Sequence, residues 1–163
     1  MSRTIVRAAA MTHLRTGLTI ASHTGDGDAA MEELELIEAE GVDPSAFIMV
    51  HAQNERNPDL HASAADRGAW VEFDGIGPDQ IERHVELVQS MRSRGHLGRV
   101  LLSHDAGWYH VGEPGGGRFR PFDTMFERFL PALTEAGFSE EQQRMLTVEN
   151  PAEAFSIRIR SRT

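Results

Sequence analysis

A chain of 163 residues with no cysteine and a net charge of −9 can bury the core of one domain but has no disulfide framework and no thiolate. Its acidity excludes sequence-independent nucleic-acid binding, which needs a basic face, and no apolar run approaches the length that spans a bilayer. The opening Met-Ser-Arg-Thr-Ile-Val-Arg lacks the apolar core of a secretory signal, so a cytoplasmic setting is expected.

Residues 4–15 carry Ile5, Val6, Ala9, Met11 and Leu14 at helical spacing, with Gly17 as the stop. Residues 18–22 read as a strand ending at His23, and the Gly-Asp-Gly-Asp run 25–28 as a loop. A helix over 29–40 closes at Gly41, a turn follows at Asp43-Pro44, and the apolar strand 47–50 ends at His51. The polar stretch 54–60 reads as loop, 61–67 as a short helix closed by Gly68, and 69–73 as a strand entering Asp74-Gly75. Residues 79–94 form a clear amphipathic pattern, and the strand 99–103 runs into His104 and Asp105. After a glycine-rich loop over 108–120, a helix is expected over 122–135, ended or bent by Pro131, and another over 139–146. Asn150 and Pro151 read as N-cap and first residue of a last helix reaching about residue 157.

Helix and strand alternate four times without a hairpin signal, which is the pattern of parallel βα units. Three of the apolar strands end in a metal-capable side chain: His23, His51 and Asp105. Strand ends that converge in this way build the metal centre of a (β/α) barrel, which closes with eight strands. Residues 1–163 are therefore expected to form a single domain of α/β class, half of a TIM-type barrel. Its open edges call for a second copy or a missing N-terminal half.

The run Thr16-Gly-Leu-Thr-Ile-Ala-Ser-His23, with Phe47-Ile-Met-Val-His51, Trp70-Val-Glu-Phe-Asp74, Val100-Leu-Leu-Ser-His104-Asp105 and the closing Glu149-Asn150-Pro151, resembles strands five to eight and the C-terminal end of the phosphotriesterase family in the amidohydrolase superfamily. The resemblance implies a metal-dependent hydrolase of phosphate triesters, lactones or related esters that uses a metal-bridged hydroxide. It implies His23 and His51 as ligands of one divalent ion, with zinc the expected metal, and Asp105 as ligand of a second ion and proton acceptor. The family's His-x-His pair and bridging lysine come from its first half; this chain has no lysine and no His-x-His. The rival expectation is a catalytically inactive half-barrel that forms an oligomeric structural or weak metal-binding protein. Another amidohydrolase subgroup with the same His, His, Asp order is a third. Partners are expected to be a small ester and a second half, with neither nucleic acid nor membrane.

Each of these residues also has a plainer reading. Asp74 precedes a glycine and is read as a turn residue, with substrate orientation as the alternative. Asp105 could cap a turn. His104 is expected to point away from Asp105 by alternation. Trp108 and Tyr109 could line a substrate pocket or anchor their loop. His13, His61, His84 and His96 fall on helices or helix ends and are expected to be solvated. The triple glycine 115–117 lacks the following Gly-Lys-Ser/Thr of a phosphate loop and reads as a lid, and the 25–28 run lacks a calcium loop's closing glutamate.

Overall fold

The structure, a computed structural model, describes residues 3–162. Four short strands, β1 (Ile20–His23), β2 (Phe47–Val50), β3 (Trp70–Phe73) and β4 (Val100–Leu102), pair in parallel in the order β1-β2-β3-β4. Because the order never reverses, right-handed crossovers place every connecting helix on the same face. A doubly wound sheet reverses at a switch point and covers both faces. The expected half-barrel is therefore the architecture observed.

The helices α1 (Arg3–Thr16), α2 (Gly27–Ala39), α3 (Pro58–Asp66) and α4 (Ile81–Ser93) pack against one another in chain order. Alternation along the strands divides the core in two. Phe47, Met49, Val71, Phe73 and Val100 join the helices in the main cluster. Ile48, Trp70 and Leu101 face the concave side and pack with Ala154. The C-terminal tail crosses beneath the strands: Arg158 N–H donates to the Gly17 carbonyl at 3.1 Å, and Asp43 N–H to that of Arg160 at 3.1 Å. Gly17, at φ 73°, is needed there, because a Cβ would lie 2.7 Å from the Arg158 backbone.

Several sequence expectations are corrected. Helix α3 begins at Pro58, with Asn57 accepting from Asp59 N–H as N-cap, so the helix starts three residues earlier than the apolar pattern suggested. Pro131 neither ends nor sharply bends its helix. A π-turn at Met125–Phe129 runs directly into α5 (Leu130–Glu135). Asn150 is not an N-cap: α6 (Glu140–Arg144) continues through a π-turn, Met145–Glu149, into α7 (Asn150–Ala154). Both π-turns end two residues before a proline, and each is closed by the residue just before it: Leu130 N–H reaches Met125 O and Asn150 N–H reaches Met145 O. A proline ring collides with the carbonyl four residues back and has no N–H to offer it. Widening the preceding turn moves that carbonyl aside and lets the helix continue. Asn150 is 4 % exposed, and its side-chain amide donates to Leu97 O and Val100 O, fastening this helix to the start of β4. The last helix stops at Ala154, short of the expected end.

Candidate metal centre

The chain turns sharply where β2 ends. His51 adopts a left-handed conformation, φ 60°, and Asp105 after β4 does the same at φ 45°. They are the only residues other than glycine with positive φ among those described. Such a conformation costs a residue with a Cβ of order 1 kcal/mol or more and persists where the surroundings impose it. At Asp105, Arg120 Nη1 donates to the carbonyls of His104 at 2.9 Å and Asp105 at 2.7 Å, and Trp108 Nε1 donates to Asp105 O at 3.3 Å.

Asp74, directly after β3, imposes the turn at His51. One carboxylate oxygen accepts from His51 Nδ1 at 2.7 Å and Gln53 Nε2 at 2.7 Å, and the other accepts the His51 backbone N–H at 2.8 Å. Asp74 is 2 % exposed, so these bonds are made out of water. Holding the proton on Nδ1 leaves Nε2 as a lone-pair donor, the arrangement that orients imidazole ligands of metals. The turn reading of Asp74 is corrected accordingly.

His51, Asp74 and Asp105 offer ligand atoms within 4.8 Å of one another, on three neighbouring strand ends. One imidazole and two carboxylates at this separation suit a divalent first-row ion. The His23 ring stands edge-on to that of His51, with centroids 4.1 Å apart. The loop that follows it is tied to the end of β2 by Gly25 N–H to Val50 O at 3.1 Å and to the loop beyond β2 by Gly27 N–H to Glu55 Oε2 at 2.8 Å.

Residues 1–155 match the model of the phosphotriesterase family. The chain belongs to that family. It is 34 % identical over 152 residues to a phosphotriesterase homology protein of Escherichia coli (strain K12), covering 91 % of this chain and 51 % of that protein. Among solved structures it superposes on the phosphotriesterase homology protein from Escherichia coli with phosphate in its active site (TM-score 0.81, 32 % identity, 94 % and 53 % of the two chains). It also superposes on the phosphotriesterase from Mycobacterium tuberculosis (TM-score 0.82, 25 % identity, 99 % and 52 %). The chain thus spans about half the length of the family members it matches.

Other residues of this family member fall where sequence patterns did not place them. His13, His61 and His84 are buried, at 1, 2 and 1 % exposure, rather than solvated. His96 is partly covered and faces Asp66 at 3.3 Å. His61 and His84 are each the fourth residue of their helix. His61 Nε2 lies 2.7 Å from Ala52 O, one residue beyond His51, and His84 Nε2 lies 2.7 Å from the carbonyl of Asp74 itself. Two successive helices thus reach back to grip the strand ends that carry the cluster. Burial pushes the His61 pKa below its ordinary value.

Glu72 was missed by the sequence reading. It sits two residues before Asp74, on the same face of β3, and burial pushes its pKa up. Strand alternation would have found it. His104 lies outside the cluster, its ring near Phe122 and Phe126. Trp108 and Tyr109 are exposed on the last loop, which folds back on itself through His110 N–H to Gly116 O at 2.9 Å. Among the described residues, no helix is long and apolar enough to cross a membrane.

Proposed function

We propose that this chain is the C-terminal half of a metal-dependent hydrolase of the phosphotriesterase type, acting on phosphate triesters, lactones or related carboxyl esters. The observation that carries this reading is the gathering of His51, Asp74 and Asp105 within 4.8 Å at the C-terminal ends of adjacent parallel strands. His51 presents Nε2 because Asp74 holds Nδ1, and His23, in ring contact with His51, provides the second imidazole. When bound, a divalent ion, for which zinc is our expectation, supplies an acidified water and a polarised scissile bond. Asp105 would help hold the ion and would serve as the proton acceptor. Trp108 and Tyr109, exposed on the last loop, are our candidates for substrate contact.

Activity in this proposal requires an opposing half, in the same polypeptide or from a second copy. Leu18 with Phe155, Ile157 and Ile159 on one side, and Phe122 with Phe126 on the other, expose apolar surface beside the two unpaired sheet edges. The absence of lysine supports a competing reading, an inactive half-barrel that associates without chemistry. Metal content by elemental mass spectrometry, after exposure to zinc and removal of excess, separates the two. A stoichiometric ion that is lost in His51→Ala and Asp105→Ala supports the hydrolase and justifies a screen of esters, lactones and triesters. No retained ion in the unaltered chain overturns it.

A further inference from the structure

On the helical side, the loop after β2 and the helices α3 and α4 enclose a second open cleft, of about 520 Å³. His61 of α3 forms its floor at 2 % exposure. Its Nε2 donates to Ala52 O, which leaves the lone pair on Nδ1. Among the described residues Nδ1 forms no hydrogen bond, yet it is not one of the sealed polar atoms of the chain, so it opens to the cleft. The charged lining is balanced, Glu55 and Glu86 against Arg56 and Arg83, and the adjoining Arg94–Asp59 pair adds one of each sign. Glu55 is already met by the N–H groups of Gly27 and Asn57, and Arg83 donates to Gln53 O. Arg56 on the loop and Glu86 on α4 are exposed, and their side chains form neither hydrogen bond nor ion pair among the described residues. The acids and the imidazole of this cleft do not come within metal-binding distance of one another as His51, Asp74 and Asp105 do, so it is not a second metal site.

One free guanidinium, one free carboxylate and a lone-pair acceptor on a buried ring, in a lining of zero net charge, suit a ligand that is itself a zwitterion. Pro58 and Leu87 add an apolar wall for an aliphatic side chain. The same cleft touches the metal centre from behind. His61 and Arg83 hold the successive carbonyls of Ala52 and Gln53, in the single turn Ala52–Asn54 that follows His51. Gln53 in turn donates to Asp74 Oδ1 at 2.7 Å and accepts the Asp74 backbone N–H at 3.1 Å. We infer that this cleft is an effector site for a zwitterion of the aliphatic amino-acid class, with Arg56 receiving its carboxylate, Glu86 and His61 Nδ1 its ammonium, and the turn 52–54 carrying its effect to His51 and Asp74. A ligand that bonds to His61 favours the arrangement in which that ring also grips Ala52 O, and so biases the turn. Binding itself needs no metal; only its consequence for a bound ion rests on the proposed hydrolase reading.

The test is titration calorimetry of the chelator-treated chain at low ionic strength, with L-leucine as the probe. Isocaproate and isoamylamine, which are leucine without its ammonium and without its carboxylate, serve as comparison probes. Saturable binding of leucine about tenfold tighter than of either is expected, weakened about tenfold in Arg56→Gln and in Glu86→Gln and unchanged in Arg162→Gln at the tail. Arg56 and Glu86 have no side-chain partner to lose, so their replacement leaves the fold intact. In the same metal-free chain, the side-chain amide resonances of Gln53 should shift as leucine saturates the cleft. Absence of saturable binding, equal affinity for an analogue that lacks one charge, or full affinity in both variants overturns the site. Gln53 resonances that stay in place while leucine binds overturn its effector role. Because no ion is present, failure of the metal centre leaves these readings unchanged, and the two ideas fall separately.

Discussion

Asp74 holds His51 twice, by the imidazole Nδ1 at 2.7 Å and by the backbone N–H at 2.8 Å, so one carboxylate fixes both the ring and the left-handed turn that aims it. With Gln53 it serves three donors. An asparagine of the same shape has a single acceptor oxygen and two donors of its own, so at least one buried donor in Asp74→Asn meets an N–H. Metal affinity in that variant is expected to fall about 10–100-fold, in the range seen when partners of ligating imidazoles are lost. Competition with a chromophoric chelator measures it. Unchanged affinity would show that His51 needs no such support.

Asp105 illustrates the opposite balance. Its φ of 45° suits glycine, and its side chain makes no close hydrogen bond among the described residues, only the 3.9 Å approach of Arg120. Asp105→Gly should raise stability by about 0.5–1 kcal/mol while removing a ligand. Urea denaturation paired with metal content checks both halves of the claim. A variant that loses stability would mean that the carboxylate, not the cluster's function, maintains the turn.

Glu33 on α2 is 3 % exposed against Ser22 of β1, and burial raises its pKa from 4.5, with the Ser22 hydroxyl opposing in part. A folded-state pKa above the unfolded one contributes stability that is complete below pH 4.5 and is lost as pH rises through the folded value. Glu33→Gln escapes that loss. It should melt about 2–4 °C above the unaltered chain at pH 7.5 for each kcal/mol recovered, and the gap should vanish by pH 4.5. Equal melting temperatures at pH 7.5 would show that Glu33 ionises without penalty.

Much of this architecture is legible in the sequence because strands buried on both faces appear as apolar runs, and a polar residue ending such a run stands out. His23, His51 and Asp105 are visible for that reason. Asp74 is hidden by Gly75, since Asp-Gly is also ordinary turn chemistry and its hydrogen bonds go to residues more than twenty positions away. His61 and His84 are hidden because helical periodicity reports which face is covered, not that a ring nitrogen will meet a carbonyl from another loop. Pro131 and Pro151 both mislead: local propensity reads the first as the end or bend of a helix and the second as the start of a new one, yet in each place the helix runs on through a widened turn.

His61 links that hidden layer to pH. Its Nε2 lies 2.7 Å from Ala52 O, so the neutral ring donates there, and burial lowers its pKa from 6.5. A depressed folded-state pKa contributes stability that is complete above pH 6.5 and is lost as pH falls through the folded value, at up to about 1.4 kcal/mol per pH unit once the unfolded ring carries the proton and the folded one does not. Glutamine keeps an N–H donor for the Ala52 carbonyl but cannot titrate. Urea midpoints for the unaltered chain should therefore fall between pH 7 and pH 5.5 more steeply than for His61→Gln, and the difference between the two cancels the contributions of the other histidines. Because Ala52 follows His51, metal affinity should decline over the same interval in the unaltered chain by more than the titration of ligands alone, and the variant should show only the ligand part. Parallel urea curves would place the proton uptake elsewhere and leave His61 as a packing residue.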